Sequence, residues 1–151
     1  DSNILPYLTS DVRGRKLVLD SRGSYRTRRS PRIVVTVPAL DAAALSGSGN
    51  MRVEGVRAAS FALAVNGSGN LVAAGRTGSL AVAINGSGNA DARALTASDV
   101  QAAISGSGNA TINTSGALQA ALSGSGNVRY VSRPFSVHLV NNGSGRVIPA
   151  R

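Results

Sequence analysis

The sequence predicts an all-β fold: a single-stranded parallel β-helix (solenoid), right-handed, of about six coils of 18–20 residues. Three observations carry this prediction. The tetrapeptide Gly-Ser-Gly-Asn occurs at 47–50, 67–70, 86–89, 106–109 and 124–127, with a degenerate copy at 143–146, so successive starts lie 20, 19, 20, 18 and 19 residues apart. Before each copy, apolar residues alternate with small or polar ones, which is the pattern of a strand with one buried face. No stretch carries an apolar stripe at helical spacing, and glycine punctuates every turn.

Taken in order, residues 1–41 read as N-terminal strands and a cap. Residues 15–20 and 32–38 are expected to be strands joined by a basic loop over 21–31. Residues 42–151 read as the solenoid with a C-terminal cap. Strands ahead of the tetrapeptides turn Phe61, Leu63 and Val65, Leu80, Val82 and Ile84, Val100, Ala102 and Ile104, and Leu118, Ala120 and Leu122 inward. The outward positions between them are mostly alanine. A second strand follows each tetrapeptide, with inward pairs Met51 and Val53, Leu71 and Ala73, Ala90 and Ala92, Ala110 and Ile112, and Val128 and Tyr130. Looser stretches at 54–59, 74–78, 93–98 and 113–116 then turn the chain back. One coil cannot bury its own inward face; stacked coils can, because each aliphatic side chain lies above its counterpart. At ~4.8 Å per strand, six coils make a rod of roughly 25 Å. Tyr130, Pro134 and Phe135, with residues 147–149, are expected to cap the C-terminal end, prolines blocking further pairing.

The tetrapeptide itself has a structural explanation. Gly47, Gly49, Gly67, Gly69, Gly86, Gly88, Gly106, Gly108, Gly124 and Gly126 mark backbone with positive φ or backbone too crowded for a Cβ. Asn50, Asn70, Asn89, Asn109 and Asn127 would stack and hydrogen-bond into a corner ladder. Calcium is disfavoured, because the charge that Asp supplies in Gly-rich β-rolls is missing. Phosphate cradling lacks the following helix and Lys. Binding of a glycan along the ladder remains open.

Composition narrows the function classes. The 151 residues contain no Cys, which removes disulfides, thiol nucleophiles and Cys-type metal sites. No apolar run is long enough to cross a membrane as a helix. The net charge of +9 is unevenly placed: Arg22, Arg26, Arg28, Arg29 and Arg32 cluster with no acid between Asp20 and Asp41. They are a solvated face or a patch for an anionic ligand such as an acidic glycan or envelope surface. Nucleic acid is disfavoured, since no aromatics interleave with the arginines. Catalysis would need clustered carboxylates. Glu54, Asp91 and Asp99 fall at different places in the coil, Asp91 sharing a face with Arg52 and Arg129. The sole histidine, His138, is expected to point outward. Thr77, Thr96, Thr111 and Thr114 do not align into the ranks an ice-binding face needs. No catalytic residue, metal or cofactor is expected.

Val37-Pro38-Ala39-Leu40, the Gly-Ser-Gly-Asn coils, Tyr130 followed by Arg133-Pro134, and a closing Asn-Gly-Ser-Gly together resemble the bacterial "putative auto-transporter adhesin, head GIN domain" family. Residues 3–6 and 14–19 resemble its N-terminal part, and the family's first strands are expected to be missing. The resemblance implies a β-helical, exported domain, its signal peptide removed, in the periplasm, at the outer membrane or on the cell surface. It implies no catalytic residues. The expected role is a non-enzymatic cell-envelope adhesion or interaction module. The alternatives are a purely structural or self-assembling envelope domain, which would form homo-oligomers, and a carbohydrate-active β-helix enzyme.

Overall fold

The structure is a computed structural model that describes residues 8–13, 16–21 and 33–150. The chain divides into two compact units, residues 1–36 and 37–151. In the first, β1 (Leu8–Arg13) and β2 (Lys16–Ser21) form an antiparallel pair with Val12 opposite Leu17. Strand β1 is not expected from the sequence pattern. A strand is expected over 32–38, but residues 33–37 form none, with Val34 77% exposed. The run Ile-Val-Val-Thr-Val has high β propensity, but propensity is realised only where a neighbouring strand supplies a ladder.

The second unit is a parallel β-solenoid of about six turns, without helix among the described residues. Its strands are β3 (Ala42–Gly47), β4 (Asn50–Gly67), β5 (Asn70–Gly86), β6 (Asn89–Gly106), β7 (Asn109–Thr114), β8 (Ala117–Gly124), β9 (Asn127–Tyr130), β10 (Ser136–Asn141) and β11 (Val147–Pro149). Each pairs in parallel with the equivalent strand of the next coil. The sheet runs β11-β9-β7-β6-β5-β4-β3, with β8 joining β6 to β10. β4, β5 and β6 each span a full coil of 17 or 18 residues, because pairing continues around the bends with one register shift. The stretches read as loose are therefore mostly laddered in these coils. Stacking one coil on an equivalent one keeps the backbone groups paired even where the strand turns.

Register builds the core. Phe61, Leu80, Val100 and Leu118 form one inward column; Leu63, Val82, Ala102 and Ala120 a second; Val65, Ile84, Ile104 and Leu122 a third. All are at most 3% exposed. The second strands contribute the column of Leu71, Ala90, Ala110 and Val128, all buried. The bends add Val56, Leu95 and Ala97, and two buried threonines. Thr77 Oγ1 donates to Ser79 O at 2.9 Å and Thr114 Oγ1 to Ser98 O at 2.6 Å. Among the described residues, no buried side-chain polar atom lacks a partner, as a dry core requires.

The C-terminal end is not capped in the way expected. Pro134 is buried, but Phe135 is 92% exposed. β11 does not fold over the core; it extends the ladder in parallel, Val147 opposite Val128 and Pro149 opposite Tyr130. The inward positions of the last coil, Val137 and Leu139, stay 48% and 41% exposed, because among the described residues no further strand pairs with β10.

Candidate functional site

At the tetrapeptide corner the asparagines stack directly. Asn70 Nδ2 donates to Asn50 Oδ1 at 3.0 Å, Asn89 Nδ2 to Asn70 Oδ1 at 3.0 Å, Asn109 Nδ2 to Asn89 Oδ1 at 3.2 Å and Asn127 Nδ2 to Asn109 Oδ1 at 3.1 Å. The ladder ends where Arg146 replaces asparagine: the Arg146 backbone N–H donates to Asn127 Oδ1 at 3.1 Å. Beside it the backbone forms a second, shared ladder. Ser68 and Gly69 N–H both donate to Gly47 O, and Ser87 and Gly88 N–H both donate to Gly67 O. Each ladder step uses one of the two Nδ2 hydrogens and one of the two Oδ1 lone pairs of an asparagine, and Asn50, Asn70 and Asn89 are exposed. In the last coil Asn141 takes the inward aliphatic position. Its Nδ2 donates to Gly145 O at 2.8 Å, and its Oδ1 accepts from Gly143 N–H at 3.0 Å.

The two glycines of each corner serve different needs. The first, Gly47, Gly67, Gly86, Gly106 and Gly124, has φ between +94° and +124°, a region L side chains avoid. The second, Gly49, Gly69, Gly88, Gly108 and Gly126, has no positive φ. At Gly88 a Cβ would stand 2.5 Å from Gly69 O and 2.5 Å from Val65 Cγ1.

Outside the corner, register sorts the surface by charge. One face is built from residues 42–47, 60–66, 79–85, 99–105, 117–123 and 136–142. Its columns are Ala62, Ala81, Gln101, Gln119 and His138, and Ala44, Ala64, Ala83, Ala103, Ala121 and Val140. It carries no Arg or Lys, and its one formal charge is Asp99. A second short asparagine ladder, missed in the sequence reading, runs along it, with Asn85 Nδ2 donating to Asn66 Oδ1 at 3.0 Å. Two open depressions of ≈ 320 and ≈ 370 Å³ lie on this face. Asp41 and Asp99 both line the smaller one, their backbones three strand spacings apart, about 14 Å. Paired-carboxylate glycoside chemistry works at about 5–9.5 Å. Asp99 Oδ1 moreover accepts the Ala117 backbone N–H at 2.8 Å. His138 is exposed, opposite Gln119.

The arginines lie on the remaining flanks. Arg52, Val72, Asp91, Thr111 and Arg129 form one outward column. Arg52 Nε is 2.6 Å from Glu54 Oε1, and Arg93 Nε is 2.9 Å from Asp91 Oδ1. A second column runs Arg57, Arg76, Thr96, Asn113. Arg57 and Arg76 were not singled out from the sequence, although their separation equals one repeat. The cluster of Arg22, Arg26, Arg28, Arg29 and Arg32 lies outside the described residues. Also among the described residues, no group of three or more His, Cys, Asp or Glu could hold a metal ion.

The chain resembles known proteins at the level of family and fold. The family described as "Putative auto-transporter adhesin, head GIN domain" matches residues 1–134. No curated protein matches the chain. Two solved structures share its fold. One is a "putative adhesin" from Bacteroides fragilis NCTC 9343, 23% identical with a TM-score of 0.72, covering 99% of this chain and 79% of that one. The other is a "putative adhesin" from Parabacteroides distasonis ATCC 8503, 19% identical with a TM-score of 0.58, covering 99% and 81% respectively.

Proposed function

The chain belongs to the "putative auto-transporter adhesin, head GIN domain" family, and we propose that it is an exported, non-enzymatic adhesion module of the bacterial cell envelope that holds acidic glycans. The observation that carries this reading is the separation of charge over the solenoid. Arg52, Arg57, Arg76, Arg93, Arg129, Arg133 and Arg146 all lie off the arginine-free face, on flanks where the acids are Glu54 and Asp91. A stiff ladder that presents Arg57 and Arg76 one strand spacing apart, with further arginines along its flanks, suits a long polyanion better than a small substrate. The acids of the solenoid are engaged in ion pairs or backbone hydrogen bonds, or stand too far apart to act together, which favours binding over catalysis.

The full chain is expected to be retained on immobilised polygalacturonate and dextran sulfate at low salt and to pass through neutral dextran. Passage through all three would overturn the reading. Replacing Arg26, Arg28, Arg29 and Arg32 by Ser measures the share of the N-terminal cluster; unchanged retention assigns the binding to the solenoid.

A second reading, self-assembly, is favoured by the open last coil. Val137 and Leu139 stand exposed beside the outer edge of β10, and an unpaired strand edge is covered by another strand. A second copy of this chain is its proposed occupant, because the solenoid's own register offers the strand that continues the columns.

A further inference from the structure

We propose that Arg57 and Arg76 form an anion-binding site for a sulfate- or carboxylate-bearing sugar of a polysaccharide that runs along the solenoid axis. The inference rests on the acidic-glycan reading above and names the site. The two residues are directly opposite in adjacent parallel strands, so their backbones stand about 4.8 Å apart. Both are exposed. Like charges directly opposite each other on a sheet are destabilising, and the fold does not ask for them. The next two coils place Thr96 and Asn113 at the same point of the column, the last pair following a register shift between Asp91 and Thr96. Neither arginine is relieved by a counter-charge: the nearby acids are taken up, Glu54 by Arg52 and Asp91 by Arg93. Among the described residues, no hydrogen bond or ion pair to either guanidinium is present. Two guanidinium forks, carried one strand spacing apart and without a partner among the described residues, match the oxygens of a sulfate or carboxylate, which guanidinium binds in bidentate fashion. The same column then offers the exposed Thr96 hydroxyl and the Asn113 amide, whose Nδ2 is held by Arg93 O at 3.1 Å while its Oδ1 stays open. Those are groups for sugar hydroxyls. The acidic sugar sits across Arg57 and Arg76, and the chain continues toward Asn113.

The test is calorimetric titration of the full chain with dextran sulfate, with polygalacturonate as the carboxylate arm, comparing Arg57→Ser/Arg76→Ser with Arg129→Ser/Arg133→Ser. The second double variant removes the same charge from elsewhere on the solenoid. The first is expected to weaken binding about tenfold, the loss of two charge-assisted contacts, while its melting temperature equals or exceeds the parent's. The second is expected to weaken binding far less. Equal losses in the two variants, or no loss in the first while the parent binds, would overturn the site and leave the adhesion reading standing. A parent that binds neither polyanion would remove both. Tighter binding to phosphatidylglycerol vesicles or to single-stranded DNA than to either polysaccharide, lost in the same variant, would overturn the assignment to a glycan.

Discussion

Gly49 and Gly88 hold the same place in their coils, but the neighbours they meet are different. A Cβ on Gly49 would meet only Leu45 Cδ1 at 3.8 Å, an ordinary contact, whereas one on Gly88 would strike the Gly69 carbonyl and Val65. Gly49→Ala is therefore expected to stay within about 0.5 kcal/mol of the parent. Gly88→Ala should cost about 1–3 kcal/mol by overpacking. Urea denaturation of both reads the difference, and equal costs would mean that crowding by the coil below is not what selects glycine. The asparagine ladder is weaker than a buried network, because Asn89 is exposed and its freed groups return to water. Asn89→Ala breaks its bonds to Asn70 and Asn109 and should cost about 1 kcal/mol in all. Asn50→Ala, which breaks one ladder bond, should cost about half that. A loss above about 3 kcal/mol at Asn89 would show that the ladder carries more than its hydrogen bonds.

At the scale of the strand, position along the stack decides what an aliphatic residue is worth. Leu118 and Val137 are neighbours in one inward column, in register between β8 and β10. Leu118 is 0% exposed with a coil on each side; Val137 is 48% exposed. Leu118→Ala should lose about 2–5 kcal/mol through the cavity it leaves, and Val137→Ala less than about 1 kcal/mol. Thermal denaturation of the two variants checks this. A similar loss at Val137 would mean that the last coil is covered in solution. The bends obey the same rule. Val56 and Leu95 pack in the core although they lie between strands in the sequence pattern. A solenoid coil closes on three sides, so a bend residue has as much core to face as a strand residue.

For the whole molecule, salt separates the two kinds of association proposed. The chain carries a net charge of +9, so copies repel each other at low ionic strength and attract polyanions. Screening weakens both effects. Binding to dextran sulfate should fall as salt is raised. Self-association through the apolar last coil should grow, and Leu139→Lys should abolish it. Light scattering across a salt series checks the second expectation; a strict monomer at high salt and high concentration would remove self-assembly.

The sequence by itself determined the fold class, the number of coils and the inward columns, because the repeat sets register and strand alternation sets which face is buried. Phe61, Leu80, Val100 and Leu118 can be aligned on the glycines and found in one column without coordinates. The asparagine corner was legible for the same reason. Other features depend on which atoms meet across coils, and only the tertiary structure decided them. The first glycine of each pair needs its φ and the second its space, a distinction invisible in Gly-Ser-Gly. Among the buried bend residues, Val56 and Leu95 lie six residues after their corner asparagines, but Thr77 and Thr114 lie seven and five after theirs, since bend lengths differ between coils. The last coil looked capped because prolines and aromatics signal an end. In three dimensions β11 continues the ladder and leaves Phe135 in solvent. The pairing of Arg57 with Arg76 was written in the repeat period, but it became notable only once the acids beside it proved to be engaged elsewhere. A charge acquires its meaning from its partners, and partners in a stacked fold lie a whole coil away in the chain.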